Sequence, residues 1–313
     1  MDIIFMGTPD FAVPSLEQLH KSKEIEVKAV VTQPDRPRGR GQKLQPSPVK
    51  RKALKLGLKV FQEKDVNQVE FIEELKRLNP DAVVVVAFGQ KLGRELLNLT
   101  RFGCINLHAS LLPEYRGASP IHQAIIDGRN ESGVTTMFMD EGWDTGDIIY
   151  QKKVEIKRTD TVGTLHDRLA VVGAELLVKT ILDIEKGIAP RIKQDEGLAT
   201  YASKIDKEIG RINWNNTAED IFNLVRGVNP WPGAFTTHRG KLLKVWWVIP
   251  LKVTKAENAE PGEIVATGEE EGLVVKTGQG LVKIEKLQLA GRRKMSVKDF
   301  LRGYNIEKGE KFI

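Results

Sequence analysis

The chain has 313 residues, of which 41% are hydrophobic and 29% charged, with a formal net charge of +6 at pH 7. This composition is typical of a soluble globular protein, and the length predicts about two domains. A single cysteine excludes an intramolecular disulfide, and no apolar run approaches the length that crosses a bilayer, so we expect a cytoplasmic protein with no membrane partner.

The amino-terminal residues predict a Rossmann-like opening. MDIIFM (1–6) reads as a buried strand, a turn follows over 7–10, and a helix is expected over 11–20. The dinucleotide-binding fingerprint is absent, because only Gly7 of its three glycines is present and Pro9 follows closely. These features disfavour an NAD-dependent oxidoreductase.

A basic segment follows the second predicted strand, which covers 26–32. Residues 33–43 alternate arginine with proline and glycine, which predicts a mobile surface loop. From Thr32 to Lys52 there are seven Lys and Arg against one Asp, and residues 207–313 hold 18 Lys and Arg against 13 Asp and Glu. Two basic regions favour a polyanion such as nucleic acid, although a solvated surface without a partner is the alternative.

Strands and helices alternate through the next part of the chain. A helix is expected over 47–56 with Ser47 as its N-cap, strands over 58–61 and 81–87, and a helix over 67–78. The β-branched run DAVVVVA is typical of a parallel strand buried on both faces. The residues that follow it are predicted to line a ligand crevice with their main chain, and they are Phe88, Gly89, Gln90 and Leu92.

The strongest candidate site follows the short strand over 103–107. Asn106 and His108 are two residues apart, so their side chains project from the same face near the strand's carboxyl end, where open α/β sheets bind ligands. Asp144 lies in a glycine-flanked loop that can reach the same crevice. An amide, an imidazole and a carboxylate around one point suit acyl transfer to an amine. Cys104 reads as a small core residue, because no adjacent base is visible.

The rest of the first half completes an α/β domain. Ser110, Leu111, Leu112 and Pro113 are expected to form a shaped loop, followed by a helix over 117–127, strands over 134–140 and 147–156, and a long helix over 161–184. The five histidines are scattered, without cysteine or histidine clusters at ligand spacing, so no metal site is predicted.

The second half has a different pattern. We expect a linker over 189–206, a helix over 217–227 and five short strands over 234–237, 242–249, 262–267, 272–276 and 281–289. Strands of this length divided by glycine-containing turns favour a small barrel that resembles an oligonucleotide-binding (OB) fold. The predicted organisation is a Rossmann-like, mostly parallel α/β domain over 1–188, the linker, and an OB-like domain over 207–313.

Five stretches carry a resemblance to the folate-dependent formyltransferase family, and the similarity covers essentially the whole chain. They are FMGTPDF, TQPDRPRGRGQKLQPSPVK, GCINLHASLLPEYRG, MDEGWDTGD and NPWPGA. The Asn-x-His, Ser-Leu-Leu-Pro and distant Asp elements are shared across that family and indicate the chemistry. The basic loop and the barrel resemble those of members that act on aminoacylated initiator tRNA.

The resemblance implies transfer of a formyl group from 10-formyltetrahydrofolate to the α-amine of methionine on initiator tRNA, without a metal. It implies that Asn106, His108 and Asp144 are catalytic and that residues 88–92 and 110–113 contact the folate. For tRNA contacts we expect the basic loop, through Arg36, Arg38, Arg40 and Lys43, together with phosphate binding by the second domain. We expect the protein to act as a monomer.

Three alternatives remain open from the residues. One is a formyltransferase for a nucleotide sugar or small amine, in which the basic loop recruits an anionic substrate. Another is a 10-formyltetrahydrofolate hydrolase, in which water replaces the amine. A third is a non-catalytic nucleic-acid-binding protein on an α/β scaffold.

Overall fold

The structure is a computed structural model that describes residues 1–38, 41, 43–251, 258–268 and 270–313, with Arg38 described for its backbone alone. The chain divides into two compact units. One comprises Met1–Pro120, Glu131–Glu155 and His166–Ala202, and the other comprises Ile121–Asn130, Ile156–Leu165 and Ser203–Ile313. The predicted boundaries at 188 and 207 remain a proposal.

The elements of the amino-terminal half alternate in the predicted way. In chain order they are β1 Asp2–Gly7, α1 Val13–Lys21, β2 Glu26–Thr32, β3 Arg36–Arg38, β4 Lys43–Gln45, α2 Pro48–Lys55, β5 Val60–Gln62, α3 Val69–Lys76, β6 Ala82–Val86, α4 Arg94–Leu97, β7 Cys104–His108, β8 Arg116–Gly117, α5 Pro120–Ile126, β9 Glu131–Phe138, β10 Ile148–Glu155, α6 Val162–Glu185 and β11 Tyr201–Ala202.

The large sheet of the first unit has the order β10-β9-β7-β6-β1-β2-β5. The pairs from β5 to β7 are parallel, and β9 and β10 add an antiparallel edge. Every residue of β6 and of β7 is buried, as expected for strands covered on both faces. The prediction of a mostly parallel, Rossmann-like domain is therefore confirmed.

The segment between β2 and α2, predicted as a mobile surface loop, is exposed over much of its described length and contains two short strands that the prediction did not include. Arg36–Arg38 pairs with Lys43–Gln45 as an antiparallel hairpin, here called the basic hairpin. At its base, Lys50 Nζ lies 2.9 Å from Asp35 Oδ2, and Gln62 Nε2 donates to Asp35 Oδ1 at 2.7 Å. These contacts anchor the hairpin to α2 and β5, which residue composition alone did not indicate.

The second unit carries a separate antiparallel sheet, as predicted. Its remaining elements are α7 Ala218–Gly227, β12 Ala234–His238, β13 Lys241–Leu251, β14 Ile264–Gly268, β15 Gly272–Lys276, β16 Leu281–Leu289, β17 Met295–Ser296 and α8 Val297–Leu301. The sheet order is β12-β13-β16-β15-β14, with β17 paired to β16. Closure of this sheet into an OB-like barrel remains a prediction.

Helix α7 closes one side of the second unit's core. Thr217 caps the helix: its hydroxyl accepts from Asp220 N–H at 3.1 Å, while the Asp220 carboxylate accepts from Thr217 N–H at 3.3 Å. The apolar face of the helix, including Ile221 and Val225, is buried in the same cluster as Val245 of β13. This reciprocal cap explains why the sequence predicted the start of α7 correctly.

Candidate active site

Strand β7 holds two of the predicted catalytic residues. Asn106 and His108 are 9% and 7% exposed. In the sheet, Asn106 is paired with Val85 on β6 and with Met137 on β9, so the strand is supported along both edges. The backbone of this half of the site is therefore set by the sheet.

His108 is oriented by a main-chain carbonyl. Its Nε2 lies 3.0 Å from the carbonyl oxygen of Tyr115. A carbonyl oxygen only accepts, so Nε2 carries the proton of this bond. The other ring nitrogen, Nδ1, lies 3.6 Å from Oδ1 of Asp144. This tautomer leaves Nδ1 as the nitrogen for chemistry: protonated, it donates to an oxygen, and unprotonated, it accepts a proton.

Asp144 reaches His108 from a loop that doubles back along β7. Strand β9 ends at Phe138, which is paired with Ile105 near the amino-terminal end of β7. The loop over 139–147 then returns to the carboxyl end, where Oδ2 of Asp144 accepts a hydrogen bond from Gly117 N–H at 2.8 Å. The structure therefore brings Asp144 and His108 together, as the sequence predicted.

The loop that carries Asp144 has a demanding backbone. Asp144 itself has a φ of 56°, in the left-handed region that few non-glycine residues adopt. Two residues later, a Cβ on Gly146 would lie 1.8 Å from the carbonyl oxygen of Phe138, so no larger residue fits there. Asp140 Oδ1 also accepts from Thr145 Oγ1 at 2.6 Å. The loop is thus held in one shape.

The segment Tyr115 to Gly117 contacts both titratable side chains of the site, and sequence reasoning missed it. Tyr115 contributes its carbonyl to His108, and Gly117 contributes its N–H to Asp144. Both contacts are made by main-chain groups, which every residue type provides, so no residue pattern signals them. The arrangement can stabilise a developing oxyanion and move a proton, which is the chemistry of acyl transfer.

Most side chains of residues 88–92, which are predicted to contact folate, are buried or hydrogen-bonded within the protein. Phe88 and Leu92 are 2% and 3% exposed and belong to the core cluster beside β6. The Gln90 amide bridges Val66 N–H at 3.1 Å and the Glu63 carbonyl at 3.0 Å. What this segment, including Gly89, can offer a folate is its main chain.

The loop over 110–113 is tied to its surroundings. Thr135 donates its hydroxyl to the Ser110 carbonyl at 2.6 Å and accepts from Leu112 N–H at 3.1 Å. The Leu112 side chain is buried with Met137 and Ile148. Leu111 and Pro113 are half-buried, so they are the apolar side chains left to cover a ring system.

The basic hairpin borders a cleft of about 230 Å³. Its lining includes Thr8, Gln33, Arg36, Ser47, Phe88 and Gly89. Arg36 donates from Nη2 to Gln33 Oε1 at 3.1 Å, while Gln33 Nε2 is buried without a partner in the described part of the chain. Lys43 is exposed, the Arg38 side chain is not described, and Arg40 lies outside the described residues.

Other chemistries find no support among the described residues. Burial raises the pKa of the Cys104 thiol to about 12, so this cysteine stays protonated and is a poor nucleophile. No group of three or more His, Cys, Asp or Glu in the described ranges could hold a metal ion. Among those same residues, none of the helices combines the length and apolar content needed to span a bilayer.

Comparisons with known proteins agree with this geometry. The family model described as "Formyl transferase" matches residues 1–181, and "Formyl transferase, C-terminal domain" matches residues 204–305. A methionyl-tRNA formyltransferase of Halothermothrix orenii is 63% identical over 99% of both chains. These matches identify the class: the chain is a formyl-transferring enzyme with two family domains.

Two solved structures share the fold. WlaRD, a sugar 3N-formyl transferase, is 22% identical with a TM-score of 0.66, covering 94% of this chain and 99% of that one. HypX from Aquifex aeolicus, solved with tetrahydrofolic acid, is 17% identical with a TM-score of 0.62, covering 99% of this chain and 50% of that one. Taken with the full-length relative, the chain belongs to the formyl transferase family, as the sequence motifs predicted.

Proposed function

We propose that this chain transfers a formyl group from 10-formyltetrahydrofolate to the α-amine of methionine esterified to initiator tRNA, and so serves translation initiation in the cytoplasm as a monomer. The observation that carries the chemistry is the meeting of His108 and Asp144 at 3.6 Å beside buried Asn106. The choice of acceptor rests on the full-length similarity to a methionyl-tRNA formyltransferase.

The residues of the site fit a formylated folate. Half-buried Leu111 and Pro113 provide apolar cover, and the main chain over 88–92 provides hydrogen-bonding groups for a heterocycle. When bound, 10-formyltetrahydrofolate supplies a formyl group attached to a folate nitrogen. We propose that Phe88, Gly89, Gln90, Leu92 and residues 110–113 hold it, with the side chains of Phe88, Gln90 and Leu92 shaping the segment from within the protein.

In the proposed reaction the methionyl amine attacks the formyl carbon, a new carbon–nitrogen bond forms, and the bond to the folate nitrogen breaks. The Asn106 amide and a protonated Nδ1 of His108 donate to the formyl oxygen as negative charge develops on it. Asp144 faces that Nδ1 and holds the imidazole in orientation, and it accepts the amine's proton directly or through water. The departing folate nitrogen takes up a proton.

For the tRNA, we propose that the basic hairpin enters the acceptor stem. The proposed contacts are Arg36, Arg38, Arg40 and Lys43. The cleft at the hairpin's base offers two donors to acceptor groups of the tRNA end, the Arg36 guanidinium and the Gln33 Nε2 that has no partner in the described part of the chain. A weak first base pair in the acceptor stem of the initiator would cost little free energy to open. The enzyme would then select this tRNA over those whose first pair is stronger. The predicted OB-like domain over 207–313 is proposed to bind phosphates.

One assay tests the proposal against the alternatives. With 10-formyltetrahydrofolate, the protein should formylate methionine on charged initiator tRNA and not on charged elongator methionine tRNA. Release of formate without tRNA would instead indicate a hydrolase, and transfer to an amino sugar would indicate the small-amine alternative. If His108→Ala changed neither transfer nor release, the catalytic assignment would be rejected.

A further inference from the structure

We propose that Arg116 and Gln194 are positioning residues that hold the Asp144 loop against His108. This inference rests on the proposed function, because it concerns a loop assigned there to catalysis. The Arg116 side chain is fully buried, which is unusual for a guanidinium and calls for a polar partner at every nitrogen.

The guanidinium joins the side chains of Glu196 and Gln194, and it also hydrogen-bonds the Tyr201 side chain. Nη1 and Nη2 donate to the two carboxylate oxygens of Glu196 at 2.8 Å and 2.7 Å, a bidentate pair. Nε and Nη2 both donate to Oε1 of Gln194, at 3.1 Å and 2.9 Å. The hydrogen bond to Glu196 is the main reason that the pKa of Arg116 is raised, and the same bond lowers the pKa of Glu196.

The Gln194 amide passes this constraint to the loop. Its Nε2 donates to the carbonyl oxygens of both Asp144 and Gly146, each at 2.8 Å. One of these carbonyls belongs to Asp144 itself, whose φ of 56° is left-handed, and the other belongs to the residue two positions later. Two main-chain anchors here fix the direction in which the Asp144 carboxylate leaves the backbone.

The polarity of this arrangement admits one orientation of the amide. A guanidinium only donates, so Oε1 must face Arg116, and carbonyls only accept, so Nε2 must face the loop. A carboxylate at position 194 would keep the contact with Arg116 but oppose two carbonyl oxygens. An apolar side chain would lose both sets of bonds. The chemistry of both neighbours therefore calls for a primary amide.

The backbone around Arg116 connects the Arg116–Gln194–Glu196 cluster to His108 as well as to Asp144. Its neighbours Tyr115 and Gly117 bind His108 and Asp144 by main-chain groups, at 3.0 Å and 2.8 Å. Strand β8 contains Arg116 and pairs with β11, Tyr201–Ala202, which follows Gln194 in the chain. A shift of Arg116 would move both halves of the site. Loss of Gln194 removes the two bonds to the Asp144 loop directly, while Arg116 keeps its bidentate pair with Glu196.

The test is a double-mutant cycle between Gln194→Met and Asp144→Asn, measured by formyl transfer at a temperature where thermal unfolding shows every variant folded. Methionine has a similar length without hydrogen-bonding groups, and asparagine tolerates a positive φ. We expect Gln194→Met to lower kcat by about 10- to 100-fold, because displacement of a catalytic group by about 1 Å costs this much, with little change in KM for either substrate.

In the double variant, kcat should match that of Asp144→Asn alone within about 3-fold, because a residue that acts only through Asp144 has nothing left to position. Losses that multiply would overturn the proposal, as would an unchanged kcat in Gln194→Met. If Asp144→Asn alone were fully active, the proposed catalytic role of Asp144 would fail, and that failure is visible before the cycle is completed.

Two further variants keep the test decisive. Gln194→Glu keeps the contact with Arg116 but opposes the Asp144 and Gly146 carbonyl oxygens, so it should lower kcat by at least about 10-fold, with no further loss in the Asp144→Asn background. Asp195→Ala is the matched control: this side chain accepts from Gly197 N–H at 2.9 Å and is exposed on the same segment. Its removal should leave kcat unchanged. If Gln194→Met fails to fold, the Gln194→Glu cycle decides the question alone.

Discussion

The two halves of the site are built by different means. Asn106 and His108 belong to a strand paired along both edges, so the ladder of the sheet sets their positions. Asp144 belongs to a loop with a left-handed residue, and it depends on hydrogen bonds from Gly117 and Gln194. A strand places a side chain through many shared bonds, whereas this loop places one through a few individual contacts that single substitutions can remove.

Asn106→Asp should have the largest effect, because it alters chemistry without disturbing the strand. It replaces a donor by a negatively charged acceptor where negative charge develops. We expect kcat to fall by about 1,000-fold, at the upper end for loss of one oxyanion donor, measured at a temperature where thermal unfolding shows the variant folded. Asn98→Asp makes the same chemical change at an exposed helix end and should retain full activity. Equal kinetics for Asn106→Asp and the parent would remove Asn106 from the mechanism.

Gly146→Ala breaks the loop half instead. The added Cβ would meet the Phe138 carbonyl oxygen at 1.8 Å, so the loop must move and Asp144 must move with it. We expect kcat to fall by about 100-fold in formyl-transfer assays, from misplacement of a catalytic group. Gly303→Ala is the control, since a Cβ there meets nothing within 4 Å in the described part of the chain. If both variants kept parental kcat, the loop would be more compliant than its contacts indicate.

Lys50→Met extends the comparison to the basic hairpin, which is also held by a few contacts. Loss of the Lys50–Asp35 pair at 2.9 Å releases the hairpin base, and should raise KM for tRNA by about 5-fold without changing KM for folate. Lys55→Met removes the same charge from α2, and Lys55 is not among the residues that contact Asp35 in the described structure. An equal rise in KM for both variants would mean that charge alone matters.

The smallest expected effect is the pH dependence of the same anchor. The hydrogen bond from Gln62, together with Lys50, lowers the pKa of Asp35 from its usual value of 3.8. A lowered folded-state pKa means that the carboxylate stabilises the fold above the unfolded value and loses this effect as pH falls through the folded value. The difference in free energy of unfolding between the parent and Asp35→Asn should be at most about 1 kcal/mol near pH 6 and vanish near pH 2. Urea titrations across this range would measure it, and a difference independent of pH would contradict the assignment.

Much of the scaffold could be predicted because its signals are local. The DAVVVVA run indicates a buried strand and Thr217 indicates a helix start, each from neighbouring residues alone. The α/β class and the start of α7 were therefore predicted correctly. Family membership was also predicted from the Asn106, His108 and Asp144 motifs. These signals depend on residue type and spacing, which the sequence displays directly.

What escaped prediction depends on contacts distant in sequence. The basic hairpin is anchored through Asp35 and Gln62, 27 residues apart, whereas its composition alone predicted a surface loop without strands or anchors. Gln194 lies 50 residues from Asp144, in a segment interpreted as a linker. Tyr115 and Gly117 act through main-chain groups, which carry no signature of residue type. The role of Gln194 becomes visible only when the folded structure places its amide beside the carbonyl oxygens of Asp144 and Gly146.

The pairing of β8 with β11 bears on how the amino-terminal half could be isolated. A fragment ended at residue 188 would retain Asn106, His108 and Asp144 yet lack the strand and the amide that steady them. Any truncated form intended for crystallography or inhibitor screening should therefore extend through Ala202.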